Sequence, residues 1–422
     1  MITNFEKNLD KYADVIVKVG LNLQPGQRLL IGAPIFTNTY TPIELAPLVR
    51  LITKKAYQMG VRYVDVMWSD DQVQLIRYKN APCGSFEEFP IWRTSLVSEM
   101  AKSGDAVLVI YAENPDLINN VDPNIIAITQ QTVLKHTEPI LDLVGKNVNN
   151  WSVISAPVSG WIEKMFPNLS LKEGENKFWE TLFNICRINH EDPVSMWQNH
   201  ITQLALRSNY LNQKHYHSLN FTATDTNLRV ELPERHIWRS GAMTSQNGIN
   251  FTANIPTEEV FTLPHKDGTN GFVKSTKPIY FSGFLIEDYE LTFFEGKVIE
   301  VHAKKGEELL QKLIKIDEGA SRLGEIALVP HSSPISQSGL LFYNILIDEN
   351  ASNHFALGRA YKFSYKDGEE MSDEEFASIG GNHSRIHLDC MFGSDEMNVD
   401  GILKDGTVEP IMHNGEWAFK IE

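Results

Sequence analysis

The chain has 422 residues and a formal net charge of −16, with 42% hydrophobic and 22% charged residues. A chain of this length is longer than one hydrophobic core ordinarily supports, which predicts two domains. The composition is typical of a globular protein. The negative charge disfavours nucleic acid and anionic membrane surfaces as partners, because both would repel it. Glu6, Lys7 and Asp10 put charge near the start, and no run approaches the ~20 apolar residues of a membrane span. We therefore expect neither a signal peptide nor a transmembrane helix.

The cysteines indicate a reducing compartment. There are three, Cys83, Cys186 and Cys390, and they lie far apart in the chain. An odd number at this spacing forms neither a disulfide framework nor a paired-cysteine zinc site. The simplest interpretation is a cytoplasmic protein.

The first half of the chain alternates short apolar runs with amphipathic stretches. We expect Thr41 to cap the first of its helices, with Pro42 in the first turn and Gly60 ending it. The predicted strands are 28–35, 61–68, 106–111 and 150–156, and the predicted helices are 42–59, 87–102 and 124–144. Strands that alternate with helices of this length predict a parallel sheet covered by helices.

Such a sheet could bind a nucleotide, but the phosphate-binding motifs are missing. No GxGxxG follows the first predicted strand, and no GxxxxGK[ST] occurs in the chain. A fold class does not by itself give a function, so a parallel sheet used as a scaffold is the preferred interpretation.

The second half is predicted to be a different kind of domain. Residues 161–213 are helical in pattern, with a long connecting helix over 196–210, and two alternating runs within 217–232 predict a hairpin. Further strands are expected at 279–285, 289–294 and 297–302, with Glu295-Gly296 as a turn and a helix at 306–316. The predicted architecture is an N-terminal α/β domain, 1–212, and a C-terminal mixed, strand-rich catalytic domain, 213–422.

The sharpest local signal for chemistry is the pair His387 and Asp389 within an apolar run. Residues two apart on a strand share a face, so this imidazole and carboxylate would project together. Such a pair suits zinc, cobalt or manganese. A structural salt bridge is the alternative interpretation.

Three further places carry polar groups beside apolar runs. Glu325 enters an apolar strand, where an unpaired carboxylate is costly to bury, although Arg322 offers a surface partner. Glu258 and Glu259 would face opposite ways in an extended chain, so one could point inward. His354 precedes another apolar run and could equally be a core histidine.

Together these residues supply three carboxylates and two imidazoles. That inventory can hold two divalent ions with a shared carboxylate and leave room for water and substrate. Competing site chemistries are weaker, because the chain has no GxSxG nucleophile motif and no HExxH zinc motif. Cys83 and Cys186 lack a recognisable nucleophile context.

Several blocks in order resemble one known family. Residues 12–27, 254–261 with 265–268, 324–329, 354–361 and 383–389 are similar to the thermophilic metalloaminopeptidases of the aminopeptidase T and aminopeptidase S type. From Glu259 the spacing is 66 positions to Glu325, 29 to His354, 33 to His387 and two to Asp389. The resemblance covers essentially the whole chain.

The resemblance implies a function and a site. It implies a metal-dependent aminopeptidase, a homodimer, that hydrolyses the N-terminal bond of peptides with water activated by two divalent ions. Zinc, cobalt, manganese or magnesium could fill the site. It implies as metal ligands Glu259, Glu325, His354, His387 and Asp389, and it implies Tyr361 as a catalytic residue that donates a hydrogen bond to the oxyanion.

Two alternatives remain open at this point. One is a two-metal amide hydrolase that acts on a non-peptide substrate. The other is a non-catalytic metal- or peptide-binding relative that kept the fold. The complete ligand set argues against the second, because a lapsed enzyme would tolerate the loss of ligands.

Overall fold

A computed structural model describes residues 4–34, 40–281 and 283–421. No helix within these ranges is both long enough and apolar enough to cross a membrane. The α-helices are α1 (Phe5–Val15), α2 (Ala46–Gln58), α3 (Asp71–Asn80), α4 (Ile91–Lys102), α5 (Pro123–Gly145), α6 (Ser159–Met165), α7 (Leu171–Ile185), α8 (Pro193–Lys214), α9 (Glu307–Leu313), α10 (Pro334–Gln337), α11 (Ile345–Asp348) and α12 (Asp373–Ser378).

The strands are short in the first half and longer in the second. They are β1 (Arg28–Ile31), β2 (Thr41–Pro42), β3 (Tyr63–Val66), β4 (Trp68–Ser69), β5 (Ala106–Ile110), β6 (Trp151–Ile154), β7 (Ser218–Ala223), β8 (Thr226–Glu231), β9 (Arg239–Ser240), β10 (Ala242–Thr244), β11 (Asn250–Thr252), β12 (Asn254–Ile255), β13 (Val260–Thr262), β14 (Thr269–Lys274), β15 (Ile279–Phe281), β16 (Phe284–Phe294), β17 (Lys297–Lys305), β18 (Leu323–Leu328), β19 (His354–Gly358), β20 (His387–Met391), β21 (Asn398–Ile402), β22 (Val408–His413) and β23 (Glu416–Trp417).

The chain forms two compact units. Unit 1 contains residues 1–200 and 242–256, and unit 2 contains residues 201–241 and 257–422. The change from one unit to the other falls within α8, and a short segment later in the chain returns to unit 1. A domain boundary near residue 212 did not include this return, and the division into two independent domains stays a prediction.

Unit 1 is built on a five-stranded parallel sheet in the order β12-β6-β5-β1-β3. The helices α2, α4 and α5 connect its successive long strands, as the alternating pattern predicted. The central strand β5 is apolar and buried at every position. Returning residues 242–256 add the hairpin β10–β11 and then the edge strand β12 beside β6.

Some predicted boundaries in unit 1 were wrong. Helix α2 begins at Ala46 rather than at Pro42, because Thr41 and Pro42 form β2 and Ile43–Leu45 is a turn of 3-10 helix. Thr41 therefore does not cap the helix. The strand predicted at 28–35 ends at Ile31, and residue 35 lies outside the described residues. Helix α3 was not predicted.

Unit 2 contains two larger sheets and confirms the strand-rich expectation. The strands β7 and β8 form the predicted hairpin, and β16 and β17 pair through the turn at Glu295-Gly296. Both turn residues have positive φ, 47° and 78°, which a glycine adopts without strain. A nine-stranded sheet runs β15-β16-β14-β8-β7-β21-β22-β23 with β17 beside β16, and a five-stranded antiparallel sheet runs β20-β19-β18-β13-β9.

The two faces of the five-stranded sheet differ in character. One face belongs to the core of unit 2 and carries fully buried apolar side chains that include Ile326, Leu328, Phe355, Leu357 and Leu388. Successive residues of a strand alternate between the faces. The other face therefore carries the residues between these positions, and they include the polar groups singled out by the sequence.

Candidate metal centre

Strand pairing places four of the predicted ligands on one face of the five-stranded sheet. Glu325 on β18 lies opposite Ala356 on β19, and Ala356 lies opposite Asp389 on β20. His354 is two residues before Ala356, and His387 is two residues before Asp389. Residues two apart share a face and paired residues are neighbours, so these four side chains form one group.

Glu259 reaches the same group from just outside the strand ladder. It immediately precedes β13, and Phe261, two residues later, pairs with Ala327, which lies opposite His354. Glu258 and Glu259 are both buried, with 4% and 6% of their surfaces exposed. Neither of the two side chains is therefore left in open water.

Glu259, Glu325 and His354 form the first of two possible ligand sets. The Nε2 atom of His354 lies 3.2 Å from Oε2 of Glu259 and 3.6 Å from Oε1 of Glu325. The first distance is short, but Nε2 of His354 and Oε2 of Glu259 are buried and make no hydrogen bond of acceptable geometry. Buried polar atoms without partners are uncommon, and a shared ion is one way to satisfy them.

The second set shares Glu325 with the first. It consists of Glu325, His387 and Asp389, whose potential ligand atoms all lie within 4.8 Å of one another. The Nε2 atom of His387 is 3.3 Å from Oδ1 of Asp389. The structure thus brings together all five residues that were predicted as ligands.

Both histidines are oriented by main-chain carbonyl groups. The Nδ1 of His387 is 2.8 Å from the carbonyl oxygen of Arg359, and the Nδ1 of His354 is 3.2 Å from that of Ser352. A carbonyl oxygen only accepts, so each Nδ1 carries the proton and donates it. Each ring therefore presents Nε2 to the carboxylates, which is the usual arrangement of a metal-binding histidine. The donor set fits a divalent transition metal.

The electrostatics of the group show mutual compensation. Burial raises the pKa of the Glu325 carboxyl, and His354 lowers it only in part. Burial alone would lower the pKa of His387, but the charge and hydrogen bond of Asp389, together with the charge of Glu325 and the Arg359 carbonyl group, outweigh it and raise the pKa to about 9. Burial would likewise lower the pKa of His354, yet Glu259 and Glu325 raise it well above its usual value. Without an ion, protons on the imidazoles offset the carboxylates, and a bound cation would replace those protons.

Tyr361 lies beside this group. Its ring is 4.9 Å from the ring of His387 and stacks on Phe363 at 5.0 Å, so two aromatic neighbours hold it. Burial and the nearby carboxylates of Glu325 and Asp389 raise the pKa of Tyr361 well above 10. The hydroxyl therefore stays protonated at neutral pH and can donate a hydrogen bond.

One buried acid of the group was missed by the sequence reasoning. Glu349 follows α11 and has 8% of its surface exposed. Burial and the charges of Asp389, Glu259 and Glu325 raise its pKa well above the usual value, which indicates that it belongs to the same electrostatic cluster. The available signal was an acidic pair, Asp348 and Glu349, directly after an apolar run.

The sequence of the chain matches the family described as thermophilic metalloprotease (M29) over residues 5–417. The chain belongs to this family. The predicted resemblance is thereby confirmed, and family membership makes the protein a metal-dependent hydrolase.

Relatives and a solved structure agree with this assignment. Aminopeptidase 2 of Geobacillus stearothermophilus is 45% identical over 420 residues, which cover 100% of both chains. Aminopeptidase AmpS of Bacillus subtilis is 42% identical and covers 99% of this chain and 100% of its own. The structure of wild-type AmpT from Thermus thermophilus superposes with a TM-score of 0.91 at 36% identity, covering 98% of this chain and 100% of that one. The predicted fold class is confirmed by this similarity.

Proposed function

We propose that this M29 enzyme, a metal-dependent aminopeptidase, removes N-terminal residues from peptides with water activated by two divalent ions. The observation that carries the proposal is the pair of overlapping ligand sets, Glu259–Glu325–His354 and Glu325–His387–Asp389, which share one carboxylate. Two divalent ions, when bound, would supply Lewis acidity and an activated water.

The charge of the cluster supports two ions rather than one. Glu259, Glu325, Glu349 and Asp389 act on one another electrostatically and would carry four negative charges when ionised. Buried charge of this size requires compensation. Two divalent ions would neutralise it while both histidines bind as neutral imidazoles.

Tyr361 is proposed to stabilise the transition state. Its protonated hydroxyl would donate a hydrogen bond to the oxyanion that forms when water attacks the peptide carbonyl. Tyr361→Phe removes only this hydroxyl and keeps the stacked ring. We expect kcat to fall by about 100- to 1,000-fold, with little change in metal affinity. Steady-state kinetics at saturating metal measure the effect, and an unchanged kcat would contradict the role.

One experiment separates the proposed activity from the alternatives. Leucyl-p-nitroanilide and its N-acetylated form are tested before and after chelation, and again after zinc, cobalt, manganese or magnesium is restored. An aminopeptidase cleaves only the form with a free amine, and only with metal. Cleavage of both forms would favour a broader amide hydrolase, and metal binding without any turnover would favour a non-catalytic relative.

We also propose that the enzyme is a cytoplasmic homodimer. In support, large apolar side chains of unit 1 are exposed, and they are Trp68, Val73, Ile76, Ile91 and Trp92. A contiguous exposed apolar patch marks an interaction surface, and the proposal is that these side chains form one. The three cysteines are free, which suits a reducing compartment.

The dimer is tested by size-exclusion chromatography with light scattering, where the wild-type protein should have twice the mass of the chain. The variants Ile76→Lys and Trp92→Lys should have masses closer to that of the monomer. Leu171→Lys, at another exposed apolar position of unit 1, is the matched control. A wild-type protein that elutes as a monomer would contradict the proposal.

A further inference from the structure

Glu259 differs from the other proposed ligands in how its backbone is held. Glu325, His354, His387 and Asp389 lie within paired strands. Glu259 precedes the first paired residue of β13, Val260. Its position therefore depends on contacts outside the sheet.

A buried asparagine supplies such a contact. Asn350 has 0% of its surface exposed. Its Oδ1 accepts a hydrogen bond of 2.7 Å from the backbone N–H of Glu258, the residue before Glu259. The bond fixes the chain at the point where the ligand leaves the ladder.

The other end of the same amide reaches a second acid. The Nδ2 of Asn350 donates to Oε1 of Glu349 at 3.3 Å and to the carbonyl oxygen of Leu346 at 3.2 Å. Asn350 itself lies four residues before His354. One side chain thus links the segment of Glu259, the carboxylate of Glu349 and the turn that leads into the strand of His354.

Further hydrogen bonds hold the turn that carries Asn350. The hydroxyl of Ser333 donates to the carbonyl oxygen of Asn350 at 2.7 Å, and Ser333 has 1% of its surface exposed. Asp348 accepts from the backbone N–H groups of Phe342 and Asn344 at 2.9 and 3.1 Å. A side chain locked in this way can transmit a defined geometry to its partners.

We propose that Asn350 is a positioning residue of the metal centre, holding Glu259 and Glu349 at the distance from His354 that ion binding requires. The proposal rests on the metal site of the proposed function. In this role Asn350 acts through Glu259 and Glu349 and is not itself a ligand. It sets how well the ligands are organised before the ion arrives, so its loss should appear first as weaker ion binding.

The test compares Asn350→Ala with Asn150→Ala. Asn150 also has 0% exposure, accepts from Gln27 at 2.9 Å and donates to the Leu21 carbonyl oxygen at 2.6 Å, but it lies in unit 1, which holds none of the ligands. Metal-free proteins are titrated with Co²⁺ against a chromophoric chelator, and the visible Co²⁺ spectrum is recorded. Thermal unfolding of the same metal-free samples reports the structural cost.

We expect both variants to lose thermal stability, but only Asn350→Ala to weaken Co²⁺ binding, by about 10-fold or more. Its Co²⁺ spectrum should also change, because a ligand shifts. Wild-type affinity and spectrum in a folded Asn350→Ala would overturn the proposal. If Asn350→Ala does not fold, Ser333→Ala decides, because it removes one restraint from the same turn: weaker binding supports the role, and unchanged binding overturns it.

The outcomes also separate this inference from the proposed function. A wild-type protein that binds no Co²⁺ contradicts the metal site, and the inference falls with it. A wild-type protein that binds Co²⁺ as tightly as Asn350→Ala contradicts only the positioning role.

Discussion

Strands β5 and β18 are both buried at every position, yet they are built differently. β5 is entirely apolar, with the sequence Ala-Val-Leu-Val-Ile from Ala106 to Ile110, whereas β18 carries Glu325 among apolar neighbours. An apolar strand contributes stability by burial alone, while a buried carboxylate costs stability unless it is compensated. The difference teaches that β5 serves the fold and β18 serves the site.

Removing the charge of β18 should have the largest effect. Glu325→Gln keeps the shape and deletes the carboxylate shared by both ligand sets. We expect kcat/KM to fall by at least about 1,000-fold. The free energy of unfolding of the metal-free protein should stay the same or rise, because a buried charge has been removed. Turnover of leucyl-p-nitroanilide and urea unfolding measure the two quantities. Turnover near that of the wild type would refute the role of Glu325.

The matching change in β5 should affect stability alone. Leu108 is fully buried, and Leu108→Ala leaves a cavity. We expect the free energy of unfolding to fall by about 2–5 kcal/mol, with kcat per folded molecule unchanged. Urea unfolding and kinetics well below the melting temperature check this. A large loss of kcat without a loss of stability would break the comparison.

The buried histidines of unit 2 extend the comparison. His236 has 4% of its surface exposed, its Nδ1 donates to the Pro233 carbonyl oxygen at 2.8 Å, and its ring stacks on His215 at 4.8 Å. Burial lowers its pKa to about 4, and the hydrogen bond to Pro233 offsets this only in part. His387, with a carboxylate beside it, has its pKa raised to about 9 instead.

The lowered pKa of His236 predicts sensitivity to acid. The unfolded chain binds a proton below its ordinary value of 6.5, whereas the folded chain does so only near 4. Stability is therefore full above pH 6.5 and falls toward pH 4, by on the order of 2–3 kcal/mol from this group. Unfolding of the metal-free protein across this range, compared with His236→Asn, isolates the contribution. Parallel curves for the two proteins would exclude it.

The smallest effect is expected at a residue between two ligands. Ala356 lies between Glu325 and Asp389 in the sheet and is fully buried. Its short side chain leaves space above the strand where the two carboxylates meet. Ala356→Val should weaken Co²⁺ binding by about 10-fold, which corresponds to about 1.4 kcal/mol. Leu357→Ile, which alters the opposite face of β19, should leave ion affinity unchanged, and equal effects of the two changes would contradict the interpretation.

Local patterns predicted those parts of the molecule that depend on local physics. His387 and Asp389 could be placed on one face because side chains on a strand repeat every two residues. The parallel sheet followed from alternating strands and helices. Local patterns could not predict that three distant residues converge, namely Glu259, Glu325 and His354. Their convergence depends on strand pairing between segments that lie 29 and 66 positions apart. The ordered resemblance to a family supplied that step.

The misses also have physical causes. Helix α3 buries none of its residues, so it lacks the apolar face by which a helix is recognised. Thr41 looked like a helix cap, but it is fully buried and pairs with Trp68 instead. Asn350 carries no charge and matches no motif. Its importance is visible only through bonds to Glu258 and Glu349 that form on folding.

The carbonyl groups that orient His354 and His387 have a consequence for sequence change. They belong to the main chain of Ser352 and Arg359, so no side-chain replacement at either position deletes them. Substitutions at these two positions therefore leave the orientation of both imidazole rings unchanged. Relatives can carry other side chains at these two positions and still keep the carbonyl oxygens that accept from the imidazoles. Only a chemical change to the backbone itself, such as an ester in place of an amide, would perturb these acceptors.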